Sequence, residues 1–245
     1  MMPEIRHPAP TVTRAVVAGT RIPRHHHREH QIVYPSSGVA QVITDRGRWI
    51  APSDRAVWIP AGCRHEHHFY GPTRFHCVGF SPTGSGDRTE PAVISAAPLL
   101  RELIVACSDP GDLPAEEAAR LRAVLRDRIR RSPDEPLQLP AAIDDRLRAA
   151  CALVEADLTV SWTLPALGRR VGAGQRTLSR LFRTEFGLTY PQWWRTRLRL
   201  HHAMGLLAES VPVTEVAHRC GWSSASAFID VYREALGRTP GARGA

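Results

Sequence analysis

The hydrophobic period of this chain changes once, and that change limits the fold more than any single residue does. From Thr11 to Phe80 the apolar residues come in short, β-branched runs, Gln31 to Tyr34, Val39 to Thr44, Arg48 to Ile50 and Ala56 to Ile59, separated by turns at Asp45-Arg46-Gly47 and around Pro52-Ser53-Asp54. Short runs recurring every ~8 to 12 residues predict an antiparallel sandwich or barrel. The stretch Ser81 to Asp87 reads as the loop that closes it. Beyond that loop the period becomes helical. Pro98 to Cys107 is apolar on one side, and Pro114 to Arg131 sets Ala118, Leu121, Leu125 and Ile129 on one face with its arginines mostly elsewhere. Such a pair suits either a cover for the barrel or a contact with a second subunit. Ser132 to Pro140, with three prolines and two acids, reads as a linker, and only helices are predicted from Asp144 onward. The expectation is an α+β multidomain chain: a sensing or dimerisation barrel in residues 1–90, a helical pair and linker in 91–140, and an all-α domain in 141–245.

Composition narrows the function. The 245 residues are 43% apolar and 23% charged, which excludes disorder throughout. The formal charge is +8, and all 32 basic residues are arginine. Arginine suits bidentate contacts to phosphate and guanine, which raises nucleic acid as a partner, although a GC-rich genome accounts for most of the missing lysine. The charge is uneven: Leu164 to Ala245 holds 12 arginines and 5 acids, and so carries +7 of it. No apolar run approaches the ~18 residues of a membrane span, and Met1 to Pro10 has no signal-peptide core, so a cytoplasmic protein with no membrane partner is expected. Five scattered cysteines without a C-x-x-C pair fit reduced thiols.

The basic end carries a motif. Thr163 can cap a helix from Leu164 to Val171, Gly172-Ala173-Gly174 supplies a turn, and a second helix runs from about Gln175 to Phe186. Leu178, Leu181, Phe182 and Phe186 share one face of it, while Arg176, Ser179, Arg180 and Arg183 collect on the other. That is the geometry of a helix-turn-helix, whose second helix enters the major groove. The arrangement recurs with Val213 to Arg219, Gly221, and Ser224 to Leu236, where Phe228, Val231, Tyr232 and Leu236 face inward. Between the two units Pro191 to Ala208 reads as one helix, about 27 Å long at ~1.5 Å per residue, close to the ~34 Å between successive major-groove faces.

Here the residues carry a resemblance. Arg197 to Ala208, Val216-Ala217-His218-Arg219-Cys220-Gly221-Trp222, Ser226-Ala227-Phe228, Tyr232-Arg233 and Leu236-Gly237-Arg238-Thr239-Pro240 resemble the pattern of the AraC/XylS family of bacterial transcription regulators over about Asp144 to Arg243. The resemblance implies a tandem helix-turn-helix domain on double-stranded promoter DNA. It implies base contacts from Arg176, Ser179 and Arg180 and a phosphate contact from Arg183. Asp230 stands where that pattern most often has arginine, so the second unit is expected to contribute weaker, mainly positional contacts through Ser224, Ser226 and Arg233.

Nine of the twelve histidines precede residue 81. The spacing His25-x-His27-x3-Gln31, then Gly38, then Pro60-x-Gly62-x2-His65, is similar to the two motifs of the cupin barrel, common at the N-terminus of AraC-type regulators. The resemblance implies that His25, His27, Gln31 and His65 face an effector or metal, with Gln31 where a complete site has glutamate. Three imidazoles, His25, His27 and His65, are adequate for Zn²⁺, Ni²⁺, Cu²⁺ or Fe²⁺, while the lost carboxylate weakens hard-metal binding, so a divalent metal is one candidate cofactor. The reading favoured is that these histidines line a barrel for an organic effector or are simply exposed. Trp49 and Trp58 are assigned to core.

These readings converge on a transcription regulator, activator or repressor, sensing a small molecule or metal. A homodimer, and RNA polymerase in the case of an activator, are further expected partners. The rival from another class is a cupin-type metalloenzyme fused to a DNA-binding domain. Against it stand the missing glutamate and the lack of any other acid–base constellation.

Overall fold

The computed structural model describes residues 8–82 and 87–241, so part of the expected Ser81–Asp87 loop, the start of Met1 to Pro10 and Arg243 lie outside the described residues. Two compact units divide at Gln138 and Leu139. The first is built on strands β1 (Val12–Val16), β2 (Arg21–His25), β3 (His30–Thr44), β4 (Gly47–Pro52), β5 (Arg55–Ile59), β6 (His65–Phe80) and β7 (Ala92–Ser95), followed by α1 (Pro98–Ser108), α2 (Ala115–Arg131) and the short β8 (Asp134–Glu135).

β3 and β6 pair antiparallel along nearly their whole length and bend together. Their register shifts between Pro35 and Val39, where Gly38 adopts φ +71 and the Thr73 hydroxyl fills the space a Cβ would need. Only glycine fits there. The bend folds the sheet into two leaves. One holds β1 on the second half of β6 and β5, β7 and β8 beyond the first half of β3. The other holds β2 on the first half of β6 and β4 on the second half of β3.

Alternation along the strands then sorts the side chains. Ile32, Tyr34, Trp58, Val78, Phe80 and Ile94 meet Leu100, Leu103, Ile104, Leu125 and Ile129 of α1 and α2 in one buried cluster. Each fully buried side chain of this size contributes roughly 1.5–3 kcal/mol. Trp49 and Trp58 are both core. The helical pair covers the sheet, and its arginines take part. Arg122 and Arg126 lie 5.3 and 5.6 Å over the Phe80 ring, Arg122 donates to the Gly79 carbonyl, and Arg126 and Arg130 both bind the Asp87 carboxylate. The expected linker is not free chain: β8 pairs with β7, and Leu137 is buried with its carbonyl accepting from the Ile50 N–H.

The second unit contains α3 (Asp145–Ala156), α4 (Leu164–Val171), α5 (Gln175–Phe186), a π-helical segment (Gln192–Leu198) running into α6 (Arg199–Ala208), α7 (Val213–Arg219) and α8 (Ala225–Leu236). The connector between the two helix-turn-helix pairs is therefore not one regular α-helix. Its wide turn carries the adjacent Trp193 and Trp194, both buried, on neighbouring positions that a 3.6-residue turn would splay apart.

Candidate nucleic-acid interface and effector site

α4 begins where Thr163 accepts the Ala166 N–H at 3.3 Å and ends at Gly172, φ +66. The turn that follows presses the Ala173 carbonyl onto the α-carbon of Gly168, where a side chain would overlap it. α5 then buries Leu178, Leu181, Phe182 and Phe186. Its opposite face presents Arg176, Arg180 and Arg183, all exposed, beside the half-buried Ser179. With Gln175 and Thr184 these residues line one concave strip. None of the three guanidiniums pairs with a carboxylate among the described residues, so their full charge and donor capacity face outward.

α8 is built alike but charged differently. Ser224 is its N-cap and accepts the Ala227 N–H at 3.1 Å, while Phe228, Tyr232 and Leu236 are buried. Ser226 and Arg233 are exposed, yet Arg233 already donates to the Asp230 carboxylate at 2.8 Å. Of the expected DNA contacts, the α5 group stands together and unpaired, whereas Arg233, the one cation of α8, is already paired with Asp230.

The histidine cluster lies in the first unit. β2 and β6 set His25 opposite His65, and the ligand atoms of His25, His27 and His65 lie within 4.8 Å of one another. Two of the rings are held in one tautomer: the Nδ1–H of His25 donates to the Pro23 carbonyl at 2.7 Å, and that of His65 to the Cys63 carbonyl at 2.8 Å. Donation from Nδ1 makes Nε2 the lone-pair nitrogen of each ring, which is how metal-ligating imidazoles are oriented, and the Nε2 of His65 has no hydrogen-bond partner. Burial pushes the His65 imidazole down to about 3, against the pull of its Cys63 hydrogen bond, so the ring is neutral.

Gln31 and His65 are each only 1% exposed, and Gln31 Oε1, His65 Nε2 and the Nδ1 of neighbouring His67 have no hydrogen-bond partner. His67, absent from the expected set, is drawn in by alternation with His65 on β6; its ring centroid is 5.0 Å from that of His65. A cavity of about 340 Å³ is lined by His25, His27, Gln31 and His67 of this group together with Ile22, Phe75 and Cys77, and by Arg14 and Arg24. Apolar walls with a few convergent polar groups are the usual make-up of a ligand site.

Residues 7–124 match the model of the AraC-like ligand binding domain, and residues 167–243 that of a helix-turn-helix domain. The chain is 31% identical over 244 residues to the HTH-type transcriptional regulator NimR of Escherichia coli (strain K12), spanning 96% of this chain and 88% of that one. It is 29% identical over 217 residues to the HTH-type transcriptional regulator ExsA of Pseudomonas aeruginosa, spanning 81% and 72%. Among solved structures it resembles ToxT from Vibrio cholerae O395, at 10% identity and a TM-score of 0.41 over 94% of each chain.

Proposed function

Because the chain belongs to the AraC family of HTH-type transcriptional regulators, with an N-terminal ligand-binding domain and a DNA-binding helix-turn-helix domain, we propose that it reads its promoter chiefly through α5. Arg176, Ser179 and Arg180 face base edges and Arg183 a phosphate. Ser224, Ser226 and Arg233 of α8 add positional contacts to the backbone. The observation that carries this reading is the unpaired arginine group on α5 against the Asp230-bound Arg233 on α8. In vitro selection of duplexes with the full chain, followed by footprinting, tests it. Arg180→Ala should weaken the selected site by ~1–3 kcal/mol and relax one base preference. An equal loss from Asp230→Ala would overturn it.

The effector enters at the His25, His27, Gln31 and His65 end of the cavity. The donor set there fits a divalent metal of the zinc, nickel or copper kind, since three neutral imidazoles without a carboxylate disfavour hard cations. Such a metal would be held by His25, His27 and His65, with Gln31 offering a neutral oxygen donor, and would supply an electrophilic centre for a ligand in the cavity. The unpartnered Nε2 of His65 and Oε1 of Gln31 support this assignment. Metal analysis of the purified chain should find stoichiometric metal that His27→Ala and His65→Ala both abolish; unchanged content in both variants would leave an organic effector alone.

The protein works as a regulator and not as an enzyme, in the cytoplasm where promoter DNA is, as a homodimer and with RNA polymerase where it activates. The relatives it matches are transcription regulators. Turnover of a small molecule that depends on His65 would revive the metalloenzyme reading.

A further inference from the structure

Arg199 opens α6 and is 7% exposed, yet no carboxylate pairs with it among the described residues. Its guanidinium carbon lies 4.4 Å from the Trp194 ring centroid and 5.7 Å from that of Trp222. One terminal N–H donates to the Leu158 carbonyl at 3.4 Å, and its Nε–H has no partner. A buried cation without a counter-charge is costly, so a fold that keeps one here needs something from it. The surroundings are built around it. Gly221, φ +78, has no room for a Cβ, which would meet Arg199 Nη2 at 2.8 Å and overlap the Leu158 carbonyl.

The guanidinium sits midway along a chain of ring contacts. Phe182 of α5 touches Tyr190 at 5.3 Å, and Tyr190 stacks on Trp194 at 5.8 Å with planes 5° apart. Beyond Arg199, Trp222 packs on Phe228 of α8 at 4.6 Å. The Tyr190 hydroxyl also ties down the Trp162 carbonyl, in the same α3–α4 connection that supplies Leu158. Each reading helix thus reaches Arg199 through aromatic side chains, and the two sets meet at its guanidinium. A planar cation that lies over two indole rings and also donates to a carbonyl can hold such a junction better than a compact ammonium.

We propose that Arg199 is a positioning residue for DNA recognition, fixing the spacing at which α5 and α8 meet one duplex. It rests on the reading that both helix-turn-helix units engage the same duplex. A residue that merely stabilised the unit would, when changed, weaken binding alike at every operator. One that fixes spacing would change which operator is preferred.

The test uses the full chain with Arg199→Lys and Trp222→Leu, the second removing one indole while leaving the guanidinium on Trp194. Operators selected in vitro are rebuilt with one or two base pairs inserted or removed between the two protected blocks, and helical content is checked by circular dichroism. Wild type should protect two blocks and lose about tenfold in affinity at each altered spacing, the effect of a mismatched base pair. A folded variant should lose that preference while keeping protection of the α5 block. Should wild type protect one block, or ignore spacing, the two-unit reading falls and the proposal with it. Should wild type show two blocks while a folded variant keeps the tenfold preference at uniformly lower affinity, the reading stands and Arg199 is not the spacer. Unfolding of the helical unit by both substitutions would assign Arg199 to stability and also overturn the proposal.

Discussion

Asp230 and Arg233 show how one side chain changes what a reading helix offers. Their ion pair, three residues apart and exposed at 67% and 60% respectively, is weak in stability terms. Its effect on DNA is larger than its strength, because it removes the one cation α8 could spend on a phosphate. Asp230→Ala should therefore raise affinity and steepen its salt dependence by about one phosphate contact, a slope change near 0.9 on logarithmic axes, measured by titration at several salt concentrations. A lower affinity would show that the acid contacts a base instead. The α5 arginines were legible because three cations at helical spacing opposite four apolar residues leave one arrangement. The Asp230–Arg233 pair was visible only as a departure, since a sequence shows that an acid and a base are near but not that they bind. Arg199 was not legible at all: its meaning lies in Leu158, Trp194 and Trp222, which are brought together only by the fold.

Elements were legible where burial follows simple periods. α4 and α5 match the expected bounds because caps, glycine stops and an apolar stripe agree. β6 carries no readable alternation in its first half, because its inward positions are His65 and His67 rather than aliphatic residues. β3 joins two runs expected to be separate, through a bend that a sequence reader takes for a break. Two outcomes belong to this scale. Gly168→Ala should drive a methyl group into the Ala173 carbonyl and cost ~1–3 kcal/mol, seen as a lower melting temperature of the helical unit together with weaker DNA binding. The second concerns His76 on β6, which lies within 2.9 Å of the Ser36 and Thr13 hydroxyls and 3.0 Å of that of Ser108. Burial first, then Arg74, lower its pKa, against a small opposing pull from Asp109. The unfolded chain thus binds a proton more readily, and the ring's contribution is present above pH 6.5 and lost as pH falls below it. His76→Gln should flatten the fall in melting temperature on the acid side of 6.5, and an unchanged slope would assign that fall to other groups.

Across the whole molecule, charge and architecture divide at the same place. The formal charge of +8 resides almost wholly from Leu164 onward, inside the second unit, while the first spends several of its arginines on its own surface and on Asp87. Against burial, which would raise it, Arg126 and Arg130 hold the Asp87 carboxyl below its ordinary value. The segment Leu139–Ala245 should therefore bind duplex DNA with an affinity that falls steeply between low and physiological salt, and the segment ending at Gln138 should bind none. DNA binding by the N-terminal segment, or a flat salt profile for the other, would contradict this division.

The arginine strip on α5 also limits how such binding is controlled. A guanidinium keeps its proton throughout the physiological range, and a chain without lysine offers no ammonium side chain for acetylation to neutralise. The grip of Arg176, Arg180 and Arg183 is thus a constant: neither cell acidity nor acyl-group transfer to its cations dims it. Control by an effector must act on where the strip is held and whether a duplex can reach it.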